Sequence, residues 1–351
     1  MSNMKNPSGG VYISADPFPN IGENDIEFLK NITPESPRGR ARICTHKTND
    51  DRMHEMFIGF TGDNYVRPSR HIGKDESLHL LDGAGDYYFF DHKGNITDTV
   101  PLGPYSSEHQ FYCRIPALQE HALVISSDKV VFHESTPGPF RREDTEFSSW
   151  SPPDEDTAAV QKWLKDLPRP NRSPRPLLKM KRTGQEVYVA DEEVRSVGRK
   201  EMDLLKSEVS KTDRKRVRLC IHTDPENTLH EMFVVYMSMT YVKPNMHVNK
   251  DESLHILEGE ADFIFFDDNG NIREIIPLGD RSTGRQFYVR VPQFVYHTLV
   301  MKSGTLVIHE VTPGPFRREE TVWAPWAPLE TDLSAVEQFM NKLKLAIAAK
   351  R

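Results

Sequence analysis

The sequence repeats itself once, and this repeat limits the possible folds more than any other feature. The segment YVRPSRHIGKDESLHLLDG at residues 65–83 returns as YVKPNMHVNKDESLHILEG at residues 241–259. Subtracting the positions of His71 and His247 gives an offset of 176 residues, and no insertion interrupts the match from residue 11 to residue 150. A long match without gaps indicates a tandem duplication, and therefore two units of one fold.

Composition is typical of a chain with two folded cores. Of the 351 residues, 28% are charged and 37% are hydrophobic, and the length suits two domains. The net charge of −7 disfavours general nucleic-acid binding, and no run of about 18 apolar residues could span a membrane. The first residues, MSNMKNPSGGVYIS, lack the apolar stretch of a signal peptide, and three cysteines are too few for a disulfide framework. We therefore expect a cytoplasmic protein.

The repeat also predicts the domain boundaries. Between the copies lies PRPNRSPRPLLKMKRTG, a basic, proline-rich stretch that reads as a semi-rigid, exposed linker. It is short and has no interleaved aromatic residues, which argues against a nucleic-acid-binding strip. The expected division is a flexible N-terminus at residues 1–10, a first unit at 11–167, the linker at 168–186 and a second unit at 187–351.

Each unit is predicted to be mainly β. Aromatic and β-branched residues fill short runs, such as LHLLDGAGDYYFF, that Gly, Asp, Asn and Pro separate. FFDHKGNI and FFDDNGNI each predict a hairpin turn. Many short strands with turns about every 8–12 residues indicate a sandwich or a barrel. Short helices are expected near residues 25–30 and 201–206, and a further helix at the end of each unit.

A possible metal site is the main functional signal. His71 and Glu76 are joined by a short loop and are expected on one short β-segment, where Glu76 shares a strand face with Leu78 and Leu80. A carboxylate among leucines is costly unless a cation or another partner compensates for it. His121, on a later strand that could run beside the first, would complete a set of two imidazoles and one carboxylate. This set suits Fe(II), Mn(II), Ni(II) or Zn(II), and a metal-free polar cluster is the alternative.

Around these residues the sequence resembles the cupin superfamily, and within it the WbuC-like cupin metalloproteins. Cupins carry His-x-His, three or four residues, Glu, six residues and Gly, and later a Pro with a His five residues after it. The matching residues are His71, Glu76, Gly83, Pro116 and His121 in the first unit, and His247, Glu252, Gly259, Pro292 and His297 in the second. The closer resemblance depends on KDESLH, FFDxxGNI and HExTPGPFRRE, within a match over nearly the whole of each unit. It implies two tandem jelly-roll β-barrels, each with short flanking helices and a divalent metal, Fe(II) first.

The sequence departs from the cupin pattern at one ligand position. Ser69 and Asn245 stand where the first His of His-x-His is expected. Each site therefore keeps at most two histidines and one glutamate, which resembles the facial triad of oxygen-activating Fe(II) enzymes. The loss could equally weaken metal binding, because each missing ligand removes binding energy. An amide oxygen from Asn245 or a hydroxyl from Ser69 would be a poorer donor.

Other repeated polar residues are candidates for substrate binding. His54 and His230 either line the pocket or pack in the core. Glu134 and Glu310 alternate with His133 and His309, and we expect the glutamates to face the barrel interior. Arg141 and Arg317 lie in TPGPFRRE loops, where they could bind an anionic substrate group or form solvated ion pairs with the adjacent Glu143 and Glu319. His79 and His255 have the opposite parity to Glu76 and Glu252 and are expected to face outward, towards an interface between the units.

These observations predict a metal-dependent enzyme that acts on a small polar or anionic metabolite. The reaction would be of the oxygenase or isomerase/epimerase type, possibly on a sugar-related compound. We expect His247, Glu252 and His297 to be the catalytic set, because the second unit keeps more of the family pattern, including WAPWAP. The alternative is a non-catalytic small-molecule or sugar-binding module with a structural metal or none. The two barrels are expected to pack as an internal pseudo-dimer, and a homodimer is possible.

Overall fold

Strands dominate both halves of the computed structural model, which describes residues 3–238 and 240–350. The strands of the first half are β1 (Met4–Ser8), β2 (Val11–Ser14), β3 (Asn20–Gly22), β4 (Arg40–Cys44), β5 (Met53–Thr61), β6 (Ser69–His71), β7 (Glu76–Asp82), β8 (Gly85–Phe90), β9 (Ile96–Leu102), β10 (Tyr112–Ile115), β11 (Glu120–Ile125), β12 (Lys129–Pro137) and β13 (Thr145–Phe147). Its helices are α1 (Glu23–Ile32) and α2 (Thr157–Asp166).

The second half repeats this order of elements. Its strands are β14 (Met180–Gly184), β15 (Val187–Ala190), β16 (Arg195–Val197), β17 (Arg216–Cys220), β18 (Leu229–Met237), β19 (Asn245–His247), β20 (Glu252–Glu258), β21 (Glu260–Phe266), β22 (Ile272–Gly279), β23 (Gln286–Val291), β24 (Tyr296–Met301), β25 (Thr305–Pro313) and β26 (Thr321–Trp323). Its helices are α3 (Arg199–Val209) and α4 (Leu333–Ala349). Every helix in the described residues is too short or too polar to serve as a membrane span.

Two sheets enclose an apolar core in the first half. One sheet has the order β1-β2-β4-β5-β12-β7-β10, and the other has the order β13-β6-β11-β8-β9. Alternation along β7 turns Leu78 and Leu80 into this core, where they pack with Phe89 of β8 and Phe132 of β12. The hairpin between β8 and β9 turns at Gly94, whose φ of 84° favours glycine.

The halves exchange one edge strand each. β16 of the second half pairs antiparallel with β10 of the first, and β3 of the first half pairs with β23 of the second. The two halves also contribute side chains to each other's hydrophobic core. Phe111 and Tyr112, beside β16, pack in a cluster with Phe233 of the second half, whereas Phe287 and Tyr288 pack with Phe57 of the first. The predicted packing of the two units against each other is confirmed by these contacts.

His79 and His255 meet at the centre of this contact, as their parity predicted. Their rings stack with centroids 4.4 Å apart, and both side chains are buried. Burial lowers the pKa of both imidazoles well below the usual value, and the neighbouring histidines lower it further.

Two segments outside the predicted units contain strands. In the N-terminal ten residues, β1 pairs with β2. The stretch at residues 168–186, predicted to be an exposed linker, is mostly exposed, and residues 180–184 of it form β14. Two of its arginines contact the first unit: Arg172 forms an ion pair of 2.9 Å with the buried Asp86, and Arg175 forms one of 2.9 Å with Asp98.

Candidate metal centres

Three strands from two sheets bring the first candidate set together. His71 ends β6, Glu76 begins β7 and His121 is the second residue of β11. The expectation that His71 and Glu76 share one β-segment is wrong, because β6 pairs with β11 and β13 whereas β7 pairs with β10 and β12. Between them the chain crosses from one sheet to the other, through a loop that includes Gly73 with a φ of 67°.

The ligand atoms of these three residues, here called the first site, lie within 4.8 Å of one another. Nε2 of His71 is 2.8 Å from Oε2 of Glu76, and Nε2 of His121 is 3.9 Å from Oε1 of the same carboxylate. The strand of His121 therefore runs beside β6, and it faces Glu76 across the interior instead of lying beside it in the same sheet.

The second site consists of His247, Glu252 and His297, whose ligand atoms also lie within 4.8 Å of one another. Here a single oxygen, Oε2 of Glu252, is 3.1 Å from Nε2 of both histidines. The convergence that the sequence predicted for each unit is therefore present in both halves.

Backbone hydrogen bonds set the direction of the imidazoles. Nδ1 of His121 lies 2.9 Å from the carbonyl oxygen of Gln119, and Nδ1 of His297 lies 2.9 Å from that of Val295. A carbonyl can only accept, so Nδ1 carries the proton and Nε2 offers a lone pair towards the carboxylate. Nδ1 of His71 lies 3.2 Å from Oγ1 of Thr145, and the second site repeats this contact at 3.3 Å. Such outer hydrogen bonds are typical of metal-binding histidines.

Electrostatics keep the carboxylates ionised. Burial alone would raise the pKa of Glu76, but the charge and hydrogen bond of His71, together with the charge of His121, lower it to about 2. The same balance lowers the pKa of Glu252 well below its usual range. Burial lowers the pKa of His71 as well, but Glu76 more than compensates and raises it, whereas burial dominates at His121 and lowers its pKa. An anionic oxygen beside imidazole nitrogens is the donor set that a divalent cation requires.

Ser69 and Asn245 occupy the position of the missing histidine. Ser69 is directly opposite His121 in the β6–β11 ladder, and Asn245 is opposite His297 in the β19–β24 ladder. Opposed residues share a sheet face, so both side chains are on the face that carries the site. The amide nitrogen of Asn245 donates one hydrogen bond to the carbonyl of Lys243 at 3.2 Å, and its oxygen is the atom that could bind a metal.

A cavity of about 410 Å³ opens onto the first site. Its lining includes five predicted site residues, namely His71, Glu76, His54, Glu134 and Arg141. It also includes polar residues that the site prediction left out, among them Arg42, His46 and Lys74. His46 recurs as His222 in the sequence, and this repeat could have identified it as a site residue. The ring of His46 stacks on that of His54, with centroids 4.1 Å apart. In the second half His222 and His230 stack in the same way at 4.0 Å.

The predicted orientation of Glu134 and Glu310 is confirmed. Glu134 lines the cavity, whereas the adjacent His133 points to the other face, with Nε2 3.3 Å from Oε1 of Glu55. Burial, and then the charge of Glu76, raises the pKa of Glu134 to about 8. Burial and the charge of Glu252 raise the pKa of Glu310 to about 8 as well. Each site thus has one ionised carboxylate and one that holds its proton near neutral pH.

The two loop arginines differ. Arg317 forms two hydrogen bonds with Glu226, of 2.7 and 3.0 Å, and not the expected ion pair with the adjacent Glu319. Glu226 lies across the loop, where the geometry allows a bidentate contact. Arg141 is exposed and lines the cavity, and among the described residues it has no ion pair within 4.0 Å.

Comparison with known proteins supports the architecture. A family model described as a domain of unknown function, DUF6016, matches residues 21–102 and 197–278, which are again 176 residues apart. Both matches end before the second histidine of each site. No curated protein matches the sequence.

Solved structures resemble both halves together. Salicylate 1,2-dioxygenase from Pseudaminobacter salicylatoxidans aligns with a TM-score of 0.58 and 14% identity, over 85% of this chain and 84% of that chain. A mutant of that enzyme in complex with gentisate aligns with a TM-score of 0.56 and 14% identity, over 88% and 84%. A cupin 2 conserved barrel domain protein from Leptotrichia buccalis aligns at 0.44 and 9% identity, over 78% and 88%.

At such identities the likeness to the dioxygenase shows the fold alone. The chain is a mainly β protein with two tandem units of the cupin fold, as the sequence predicted.

Proposed function

We propose that the protein is a divalent-metal-dependent bicupin enzyme of the oxygenase type, acting on a small anionic metabolite. One observation carries the proposal: in each unit, two histidines and one glutamate from separate strands place their ligand atoms within 4.8 Å of one another. Two imidazoles with one carboxylate, and no fourth protein ligand of the same strength, is the set that non-haem Fe(II) oxygenases use. Mn(II), Ni(II) and Zn(II) suit the same atoms less specifically.

The residues fit a metal in their protonation and direction. His71 and His121 would hold it through Nε2, and Glu76 through a carboxylate oxygen, with the equivalent residues in the second unit. An ion bound there would supply Lewis acidity and, if it is iron, a centre for oxygen chemistry. The remaining positions would be open to substrate.

The cavity residues of the first unit define what the substrate must be. Arg141 lines the cavity and favours a carboxylate or another anionic group, whereas Lys74 lines it in an ion pair of 2.6 Å with Asp144. Glu134, protonated near neutral pH, can donate a hydrogen bond or a proton to a substrate oxygen beside the site. His54, stacked on His46, adds a polar edge to the same wall. A volume of about 410 Å³ accommodates a compact molecule such as a substituted benzoate.

The structural neighbours support this substrate class. One of them is a salicylate 1,2-dioxygenase, and another is a mutant of it with gentisate bound, both of which concern small aromatic carboxylates. The WbuC-like assignment, a sugar-related substrate and an isomerase or epimerase reaction remain further proposals that rest on the sequence resemblance. The unit boundaries at 11–167 and 187–351, a cytoplasmic location and a homodimer are proposals too.

The test is metal analysis followed by oxygen uptake. Protein purified without chelator or nickel resin is expected to contain up to two equivalents of metal per chain. With Fe(II) and a panel of hydroxybenzoates and other small acids, it should consume oxygen when the right acid is added. His121→Ala and His297→Ala, tested separately and together, are the matched variants. The proposal would be contradicted if the wild-type protein binds no metal. It would also be contradicted if the double variant behaves as the wild type.

A non-catalytic binding module is the second candidate, and the second site favours it. One oxygen of Glu252 is 3.1 Å from Nε2 of both imidazoles, so rings that carry a proton on Nε2 would donate to it and satisfy the cluster without an ion. Such a module would bind a small acid saturably by calorimetry but would neither consume oxygen nor convert the ligand.

A further inference from the structure

A glutamate of the second unit lies against the first site. Glu231, on β18, is fully buried and accepts a hydrogen bond of 2.5 Å from Oγ of Ser77. Its other oxygen accepts a hydrogen bond of 2.7 Å from Nη1 of Arg114. Ser77 and Arg114 belong to the first unit and are directly opposite each other in the β7–β10 ladder. Ser77 immediately follows the candidate ligand Glu76.

Arg114 carries this contact to the other neighbour of Glu76. Its Nη2 donates to Oδ2 of Asp75 at 2.7 Å, and its Nε donates to the same oxygen at 3.1 Å. Oδ1 of Asp75 accepts from the backbone nitrogen of Ala117 at 3.0 Å, which ties the start of β7 to the loop that leads to His121. Glu76 is therefore flanked by two residues, Asp75 and Ser77, that are both held by one carboxylate of the opposite unit.

The arrangement is reciprocal. Ser253 donates to Oε1 of Glu55 at 2.6 Å, and Nη1 of Arg290 is 3.3 Å from Oε2 of the same carboxylate. Nη2 of Arg290 donates to Asp251 at 2.8 Å. Glu252, the candidate ligand of the second unit, is thus flanked by Asp251 and Ser253, both held by Glu55 of the first unit.

Burial makes these contacts specific. Arg114 and Arg290 are 0% and 3% exposed, and Glu55 and Glu231 are both 0% exposed. A buried charge that loses its partner is strongly unfavourable, so each arginine is fixed by the acids on either side of it. An interface that only joined the units could consist of apolar contacts. Here, instead, buried charged groups contact the residues on both sides of each candidate ligand.

We propose that Glu231 and Glu55 are positioning residues for the metal site of the opposite unit. Glu231 holds Glu76 in place through Ser77, Arg114 and Asp75, and Glu55 holds Glu252 through the equivalent residues. Each site therefore depends on both units. The inference rests on the proposed metal function, and it adds that the carboxylate ligand of each site is oriented across the interface.

The test uses the crossed pattern of effects. In a His297→Ala background only the first site is intact, and in a His121→Ala background only the second. Co(II) binding is titrated by visible absorption in each background, with Glu231→Gln and Glu55→Gln as matched variants. We expect Glu231→Gln to weaken the first site by about 10–100-fold, the usual effect of removing an outer-shell partner, and to change the second by less than about threefold. Glu55→Gln should do the reverse.

The crossing separates positioning from a general loss of stability. Glu231 also lies 3.4 Å from His309 of its own unit, so a merely structural role would weaken its own site or both sites alike, and that result would overturn the inference. Equal affinity in variant and parent at the opposite site would overturn it as well. If Glu231→Gln does not fold, Ser77→Ala and Ser253→Ala remove one hydrogen bond each and should show a smaller effect at the site of their own unit, because each removes a contact to the opposite glutamate.

A failure of the metal function would look different. In that case neither parent would bind Co(II), and the crystal structure of Glu231→Gln decides the inference. Displacement of the Glu76 carboxylate from its 2.8 Å contact with His71, with Glu252 unmoved, would support the positioning role. An unchanged contact would overturn it.

Discussion

In the first site the two oxygens of Glu76 are divided between its histidines, whereas in the second site one oxygen of Glu252 faces both. The distances are 2.8 and 3.9 Å in the first site and 3.1 Å twice in the second. The first arrangement is the more open, and in the second one oxygen lies within hydrogen-bonding distance of both rings. Identical ligands on equivalent strands can therefore differ in how much they need a cation.

The entrances to the two sites differ at several positions, and one of them bears on the pairing of the loop arginine. Glu226 reaches Arg317 in the second unit, and Asp50 stands at the equivalent position of the first. The shorter carboxylate forms no ion pair with Arg141 among the described residues, so that arginine is left to line the cavity. The comparison favours the first unit as the place where an anionic substrate binds, whereas the sequence favoured the second unit as the catalytic one.

The largest expected effect separates the two sites directly. His121→Ala and His297→Ala should each remove one metal equivalent per chain, with a loss of affinity at the altered site greater than the 10–100-fold of an outer-shell change. Metal content after dialysis measures this. If the first unit binds substrate, His121→Ala abolishes oxygen uptake and His297→Ala leaves most of it. Loss of activity in His297→Ala alone would contradict the conclusion that the substrate binds in the first unit.

The loop arginines provide the next test. Arg141→Ala should weaken binding of a monocarboxylate probe such as benzoate to the first unit by about 10–30-fold, because a hydrogen bond to a charged group contributes about 1.5–3 kcal/mol and this arginine is exposed. Arg317→Ala should have little effect, since Glu226 already occupies that side chain. Calorimetric titration measures both.

A third variant sharpens the same point. Glu226→Asp gives the second entrance the acid that the first one has, and it should create a second benzoate site. If Arg141→Ala and Arg317→Ala weaken benzoate binding equally, the entrances do not differ as the ion pairs indicate.

The centre of the interface should show no difference between the units. The pKa values of His79 and His255 are lowered by burial, so these rings are neutral in the folded protein and take up protons on unfolding below about pH 6.5. The free energy of unfolding is therefore unaffected by these rings above that pH and decreases as the pH falls below it. Between pH 7.5 and 5.5 each histidine should lower the free energy of unfolding by about 1.4 kcal/mol, roughly tenfold in the unfolding equilibrium.

Single variants measure this contribution. His79→Phe and His255→Phe should each reduce the loss of stability on acidification by the same amount, as followed by urea unfolding at the two pH values. Unequal effects would show that the interface is not symmetric in its electrostatics, and variants as acid-sensitive as the wild type would contradict the assignment.

Much of each site was predictable because it depends on local periodicity. The parity of β7 placed Glu76 on the inner face and His79 on the outer one, and the same rule separated Glu134 from His133. The 176-residue repeat predicted that the strand order and the ligand residues of one unit recur in the other. These inferences need only the chain's own alternation.

The contacts that each strand face makes with distant parts of the chain were not predictable from one sequence. Parity indicated that Ser77 faces outward, but nothing in the sequence paired it with Glu231, which is 154 residues away. The separation of β6 and β7 into different sheets, and the exchange of β3 and β16, also depend on long-range packing that local pattern does not encode. For the same reason the partner of Arg172 was not predictable, because Asp86 is buried in a strand 86 residues away.

The smallest expected effect concerns the inner walls. The first barrel has Tyr87 where the second has Phe263, and a hydrogen bond from Tyr87 helps to lower the pKa of Glu76. Tyr87→Phe should weaken metal binding at the first site by about fivefold, since a hydrogen bond contributes about 1 kcal/mol. Tyr236→Phe, the matched removal of a hydroxyl from the interior of the second barrel, should leave the first site unchanged.

Co(II) titration in the His297→Ala background isolates this effect. The background removes the second site, so any change in affinity belongs to the first. An equal change in both tyrosine variants would show that the hydroxyls act through the general stability of the barrels. A change in Tyr87→Phe alone would show that the duplicated sites have diverged in the groups that surround their ligands while the ligands stayed the same.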